Sequence, residues 1–267
     1  SSPASSAANA RMPSSPSSMP CKSLASSCLK TTPTTTCPGV IKMDSGVWHL
    51  KDLKAFANKN QDSLTTDDIA RLVNSIDRLF LIFKYHYKTC KESIEEIWNP
   101  QDPTDPRNLK FIFSPDPVNK ITAEANFIAA AQSLRSIYEV LLQLTNKLHL
   151  HPNCLKSNES GFPRKLINKL ETLPNKKKLR KEINSFYNSK EYKYIQNFTN
   201  TIKHQDLIRF PAKFDFNSSK ASFFIEEFNN FERKEFDKGI ELLSSTENML
   251  IKLGKTIDMQ ARIPLDK

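Results

Sequence analysis

Glycine is scarce in this chain, with 5 in 267 residues. No G-x-x-x-x-G-K or G-x-G-x-x-G run occurs, so no backbone loop is built for close approach to a pyrophosphate, and Walker and Rossmann sites are excluded. The G-x-S-x-G elbow of serine hydrolases is missing as well. No apolar run approaches the roughly 18 residues that a membrane-crossing helix needs, and the N-terminal residues lack the apolar core of a secretory signal. The five cysteines are odd in number and irregular in spacing. They fit neither a disulfide framework nor a zinc site, and the expectation is reduced thiols in a cytoplasmic protein without a membrane partner. His149 and His151 stand two apart with Cys154 three further on, which matches no standard zinc spacing. No metal and no cofactor is expected.

Acidic and aromatic residues are absent from the first 40 positions, of which 27 are Ser, Thr, Pro or Ala. Such a stretch has too little apolar surface to offset its backbone entropy, so residues 1–42 are expected to form a disordered tail. The tail is either a linker or an extension upstream of a start at Met43, and it holds Cys21, Cys28 and Cys37. Residues 43–267 are expected to be one helical domain.

What the body does contain is positive charge and helical periodicity. The formal net charge is +10, which makes polyanions such as RNA or nucleotides plausible partners. Thr66, Asp67 and Asp68 signal a helix start, and Ile69, Leu72, Val73, Ile76, Phe80 and Phe83 follow at helical spacing. A turn-rich loop after Pro100 leads to "FIFSPDPV", expected to be a short extended piece. The strongest helix is expected from Thr122, with a stripe of Phe127, Ala131, Leu134, Tyr138, Leu141, Leu142 and Leu148. Shorter helices follow from Pro163 and through "NKKKLRKEINSFY", and Ser189 caps another. Extended pieces near residues 206–226 suggest a hairpin, and a last helix spans about residues 235–257. The expected fold is all-α, a bundle of four to five main helices with a small β appendage.

One stretch carries candidate chemistry, "YIQNFTNTIKHQDLIR" at 194–209. Ile195, Phe198 and Ile202 share the face that docks on the bundle, whereas Asn197, Asn200 and His204 lie roughly opposite. The histidine is therefore placed at a surface, a cleft or a subunit contact, and the bland alternative is a solvated face with Lys203 and His204 complementing the helix dipole. A second feature is "KKKLRK", in which Lys176, Lys177, Lys178, Arg180 and Lys181 would form either a nucleic-acid strip or an ordinary solvated helix face.

The pair "ANFIAAAQSLRSIYEVLLQLTN" (125–146) and "YIQNFTNTIKHQDLI" (194–208) resembles the HEPN superfamily, closest to an uncharacterised bacterial branch with an "AAAQSLHS"-type helix and a later "FVNTxKHR"-type helix. The resemblance implies a four- to five-helix bundle that dimerises, and an RNA-directed role. In many members that role is metal-independent RNA cleavage through an R-x4–6-H motif. In toxin–antitoxin and antiphage settings it also implies an antitoxin or nucleotidyltransferase partner. Carried over, His204 takes the histidine position and Asn200 the polar one, but Thr199 stands in the arginine position. A histidine can accept a 2′-hydroxyl proton at neutral pH. Threonine cannot offset charge developing on phosphate as a guanidinium does. Lys203, Arg135 and Arg209 are the candidate substitutes, with an ordinary ion pair to Glu139 as the alternative for Arg135. A ribonuclease using His204, a non-catalytic module binding RNA, nucleotide or protein, and a purely structural bundle all remain open.

Overall fold

The computed structural model describes residues 53, 55, 57–59, 62–99, 101–102, 104–113, 117–204 and 207–263. All of them belong to Asp44–Lys267, one of two units into which the chain divides. The expectations for residues 1–42, for Met43 and for the three cysteines upstream lie outside the described residues.

Helix α1 (Ser63–Glu95) starts three residues ahead of the expected cap, because Asp62 accepts the Thr65 N–H at 2.7 Å. The sequence of segment 111–118 suggests an extended piece, but residues up to Phe113 form helix α2 (Pro106–Phe113). Proline fixes the first helical φ there, and the Asp105 carboxylate accepts the Arg107 N–H at 2.8 Å. Phe111 thereby lies against Trp98 and Phe223, with ring centres 5.8 and 5.2 Å away. Helix α3 (Pro117–Leu150) begins five residues before Thr122, again with a proline in its first turn.

Helices α4 (Phe162–Glu171), α5 (Lys177–Asn188), α6 (Lys190–His204) and α7 (Phe236–Ala261) follow. Between α6 and α7 the chain forms a small antiparallel sheet, β1 (Ala212–Asp215), β2 (Lys220–Ile225) and β3 (Lys234–Glu235), in the order β1-β2-β3. Ala212 faces Phe223 and Asp215 faces Lys220 in the hairpin, while Phe224 faces Glu235 across the second pair. The alternation along β2 buries Ala221, Phe223 and Ile225 against the helices. The hairpin agrees with the extended pieces expected near residues 206–226; the two-residue β3 has no counterpart in the sequence reading. The protein is thus mostly helical with a small sheet.

Helix α3 is the element on which the others are placed: it packs against α1, α4, α6 and α7. It runs antiparallel to α1, as the pairs Asp68–Lys147 (2.8 Å), His86–Asn126 (2.7 Å) and Glu96–Asn119 (3.1 Å) define. Helix α6 docks on it through Phe198 against Phe127, with ring centres 5.4 Å apart, and Tyr192 against Tyr138, 4.5 Å apart. Aromatic residues bury the largest areas of any side chain, so these two contacts fix which face of α6 looks inward. Among the described residues, no helix is long and apolar enough to cross a membrane.

Candidate functional site

Helix α6 is capped by Ser189, whose hydroxyl accepts the Tyr192 N–H at 3.2 Å. Its docked face carries Tyr192, Tyr194, Ile195 and Phe198, all buried. Around the helix from them, Asn200 is half-buried, and Lys203 and His204 are exposed. Asn197 is half-buried too, but its amide folds back onto the Lys193 carbonyl at 2.8 Å, leaving it a local helix contact. Asn200 and His204 are four residues apart, so their side chains are neighbours on one face, with Cβ atoms about 5–6 Å apart.

The arginine position on α6 holds Thr199, which is buried. Its hydroxyl donates to the Ile195 carbonyl at 2.9 Å and accepts a bond from Arg135 Nη1, also at 2.9 Å. Arg135 stands on α3 and crosses the helix contact. The same Nη1 donates to Asn200 Oδ1 at 2.5 Å, and Nε donates to Glu139 Oε1 at 3.0 Å. The i,i+4 ion pair expected as the alternative for Arg135 therefore forms, and the same guanidinium also enters the groove between α3 and α6. The side chain remains 25 % exposed, and that of Glu139 is 52 % exposed. Nη2 donates to no described residue, and neither does the Asn200 amide nitrogen. With Oδ1 held by a cation, that nitrogen must point the other way, because the hydrogen-bond network fixes which end of an amide is which. Lys203 is exposed and takes no part in these bonds. Arg209 is exposed, beyond the end of the helix.

The basic run divides. Lys176 cannot serve a nucleic-acid strip, because its side chain is 1 % exposed and its Nζ donates to the Gln260 carbonyl at 2.9 Å. It precedes α5, in the position where the chain turns under the C-terminal end of α7, and its charge complements the carbonyls there. Burial pulls its ammonium below the ordinary lysine range. Arg180 reaches Glu171 on α4 at 2.7 Å, which offsets its charge. Lys177, Lys178 and Lys181 are exposed, as are Arg164, Lys165 and Lys169 on α4. Of the five basic positions in the run, three are thus exposed, one is buried and one is paired.

His149 shares the corner with Lys176. It is 6 % exposed, and its Nε2 has no partner among the described residues. Burial, and secondarily the Lys176 charge, lower its pKa to about 3, so the ring is neutral at neutral pH. His151 instead faces Asp62 and Thr65, at 3.6 and 3.4 Å. The described residues hold no cluster of three or more His, Cys, Asp or Glu able to ligate a metal.

Among the concavities outside the sequence-predicted site, two are framed by helices. One, of about 350 Å³, is bounded by Trp98, Arg107, Asp237 and Ile240. Burial and the nearby Glu235 and Glu241 raise the Asp237 carboxyl within it. The other, of about 560 Å³, lies between the start of α6 and α7, lined by Lys190, Tyr194, Phe231 and Arg233. Neither reaches Arg135 or His204. Their residues come from three elements each, which only the tertiary packing brings together, so the sequence offered no signal for them. The chain matches no family model, no curated protein and no solved structure.

Proposed function

We propose that the protein is a HEPN-like module with an RNA-directed role, centred on the exposed end of α6. The observation that carries this is the Arg135 guanidinium bonded to the Asn200 amide, with an exposed imidazole at His204 one helical turn further along α6. The resemblance of residues 125–146 and 194–208 and the net charge of +10 support the same direction. In its sharper form the role is metal-independent endoribonuclease action of toxin or defence type. His204 would take the proton of a 2′-hydroxyl, the oxygen would attack the neighbouring phosphorus, and the bond to the 5′-oxygen would break. The products are a 2′,3′-cyclic phosphate and a 5′-hydroxyl, the latter taking its proton from the imidazolium or water. A positioned base contributes about 10²–10⁴-fold.

A second reading, a module that binds RNA, nucleotide or a protein partner without cutting, is favoured by the Glu139 contact, which offsets part of the guanidinium charge. Both readings fit a cytoplasmic homodimer with a partner such as an antitoxin or nucleotidyltransferase. The test is induced expression in a bacterial host, with growth and total RNA followed for the chain and its His204→Ala variant. Arrest with RNA fragmentation, relieved by the substitution, is expected for the enzyme. Intact RNA and normal growth from both chains point to the binding role or to an enzyme that awaits an activator.

A further inference from the structure

We propose that Arg135 supplies the phosphate-binding cation of this site from α3, across the helix contact, in place of the arginine that α6 lacks at position 199. The inference rests on the RNA-directed reading and names the group that would hold the phosphate. Three observations carry it. Thr199 is small and buried, and its hydroxyl is oriented by the Ile195 carbonyl so that its lone pair receives Arg135 Nη1 at 2.9 Å. The cation therefore stands against the backbone turn from which an arginine at 199 would have projected. The guanidinium is also not neutralised in a closed pair: Glu139, its carboxylate partner, is half exposed, and a quarter of the arginine side chain reaches solvent. Lastly, the bond from Nη1 to Asn200 Oδ1 turns the Asn200 amide nitrogen outward.

The consequence is a pair of N–H sources, Arg135 Nη2 and Asn200 Nδ2, with no acceptor among the described residues, on the face that His204 continues. A guanidinium nitrogen and an amide nitrogen, one helical turn from an imidazole, suit the non-bridging oxygens of a phosphoester, since charge-assisted N–H bonds to such oxygens are strong and directional. A phosphate oxygen can bind at Nη2, which donates to no described residue, or displace the Glu139 carboxylate from Nε. Glu139 then acts as a stand-in anion that holds the guanidinium in place until phosphate arrives.

The experiment titrates inorganic phosphate into the full chain at constant ionic strength, following the Arg135 Nε–H and His204 ring signals by NMR. A saturable shift of both is expected. Arg135→Gln should weaken phosphate binding, read from the His204 ring, by tenfold or more, and Arg135→Lys should weaken it less. Arg135→Gln with Thr199→Arg should restore it to within tenfold of the parent, while thermal midpoints confirm that each variant is folded. Absence of a saturable shift in the parent chain, or equal phosphate affinity in Arg135→Gln, overturns the proposal. Reduced stability with unchanged phosphate affinity also overturns it and leaves Arg135 as a strut between α3 and α6. Failure of the relocated arginine to restore binding overturns the equivalence of the two positions. A short RNA oligonucleotide separates the two levels. Phosphate binding without RNA binding or cleavage sinks the RNA-directed reading alone. RNA handled equally by the parent and Arg135→Gln, but not by His204→Ala, sinks the phosphate role alone.

Discussion

The buried imidazole of His149 sets a pH limit on the corner that the end of α3 shares with Lys176. Its ordinary pKa is 6.5, and in the folded protein burial and the Lys176 charge bring it to about 3. The unfolded chain therefore binds a proton on this residue as pH falls below about 6.5, and the folded protein does not until about 3. Stability from the neutral ring is complete above 6.5 and is lost progressively on acidification. Each unit of separation corresponds to about 1.4 kcal/mol, so moving from pH 7 to pH 5 removes about 2 kcal/mol. Other groups titrate in the same range: burial raises the carboxyls of Glu124 and Glu247, which stabilise the fold as pH falls and oppose the trend. Comparison with His149→Leu removes these shared contributions. Nε2 has no partner to lose, so the variant should fold. Urea unfolding followed by the helical circular dichroism signal at pH 7, 6 and 5 should show the parent losing about 2 kcal/mol more than the variant. Parallel losses would refute the assignment of a neutral, desolvated ring.

Asn108 is fully buried and ties the loop before α2 through bonds to the Asn99 N–H (2.7 Å), the Asn99 carbonyl (2.9 Å) and the Asp102 carbonyl (2.8 Å). Asn108→Ala strands these groups and should cost about 2–4 kcal/mol in urea unfolding at pH 7. Gly239 in the first turns of α7 leaves no room for a methyl: an added Cβ would overlap Ile225 Cδ1 and lie 3.1 Å from Phe127 Cε2. Gly239→Ala gains about 1 kcal/mol of helix propensity but should lower stability by about 1–3 kcal/mol from overpacking, read as a lower thermal midpoint. For the basic strip, Lys177→Gln with Lys178→Gln and Lys181→Gln should reduce the salt slope of RNA affinity by about 0.7 for each phosphate no longer neutralised. Lys176→Gln should leave that slope unchanged, and an equal effect from the buried lysine would count against the assigned geometry.

Periodicity is a local signal, and what it could report it reported well. The α3 stripe of Phe127, Leu134, Tyr138 and Leu141 is fully buried, and α6 turns Ile195 and Phe198 inward as its spacing requires. The extended pieces near residues 206–226 likewise marked the hairpin. Helix starts were less legible at α2 and α3, where a proline that breaks a helix interior opens a first turn instead. The candidate site was half legible. Asn200, Lys203 and His204 could be assigned to one exposed helix end because their spacing is intrinsic to α6. Of the three candidate cations Lys203, Arg135 and Arg209, that Arg135 is the one bonded to Thr199 could not be read, since that bond joins residues 64 positions apart and depends on how Phe198 seats against Phe127. Lys176 failed for the converse reason. Five basic residues in six read as one solvated face, but α5 starts only at Lys177, so its predecessor does not follow the helix phase. The chain carries it beneath the end of α7, where the Gln260 carbonyl waits for a donor. Charge in a sequence shows that a cation is present; the tertiary contact decides whether it meets a phosphate or a helix end.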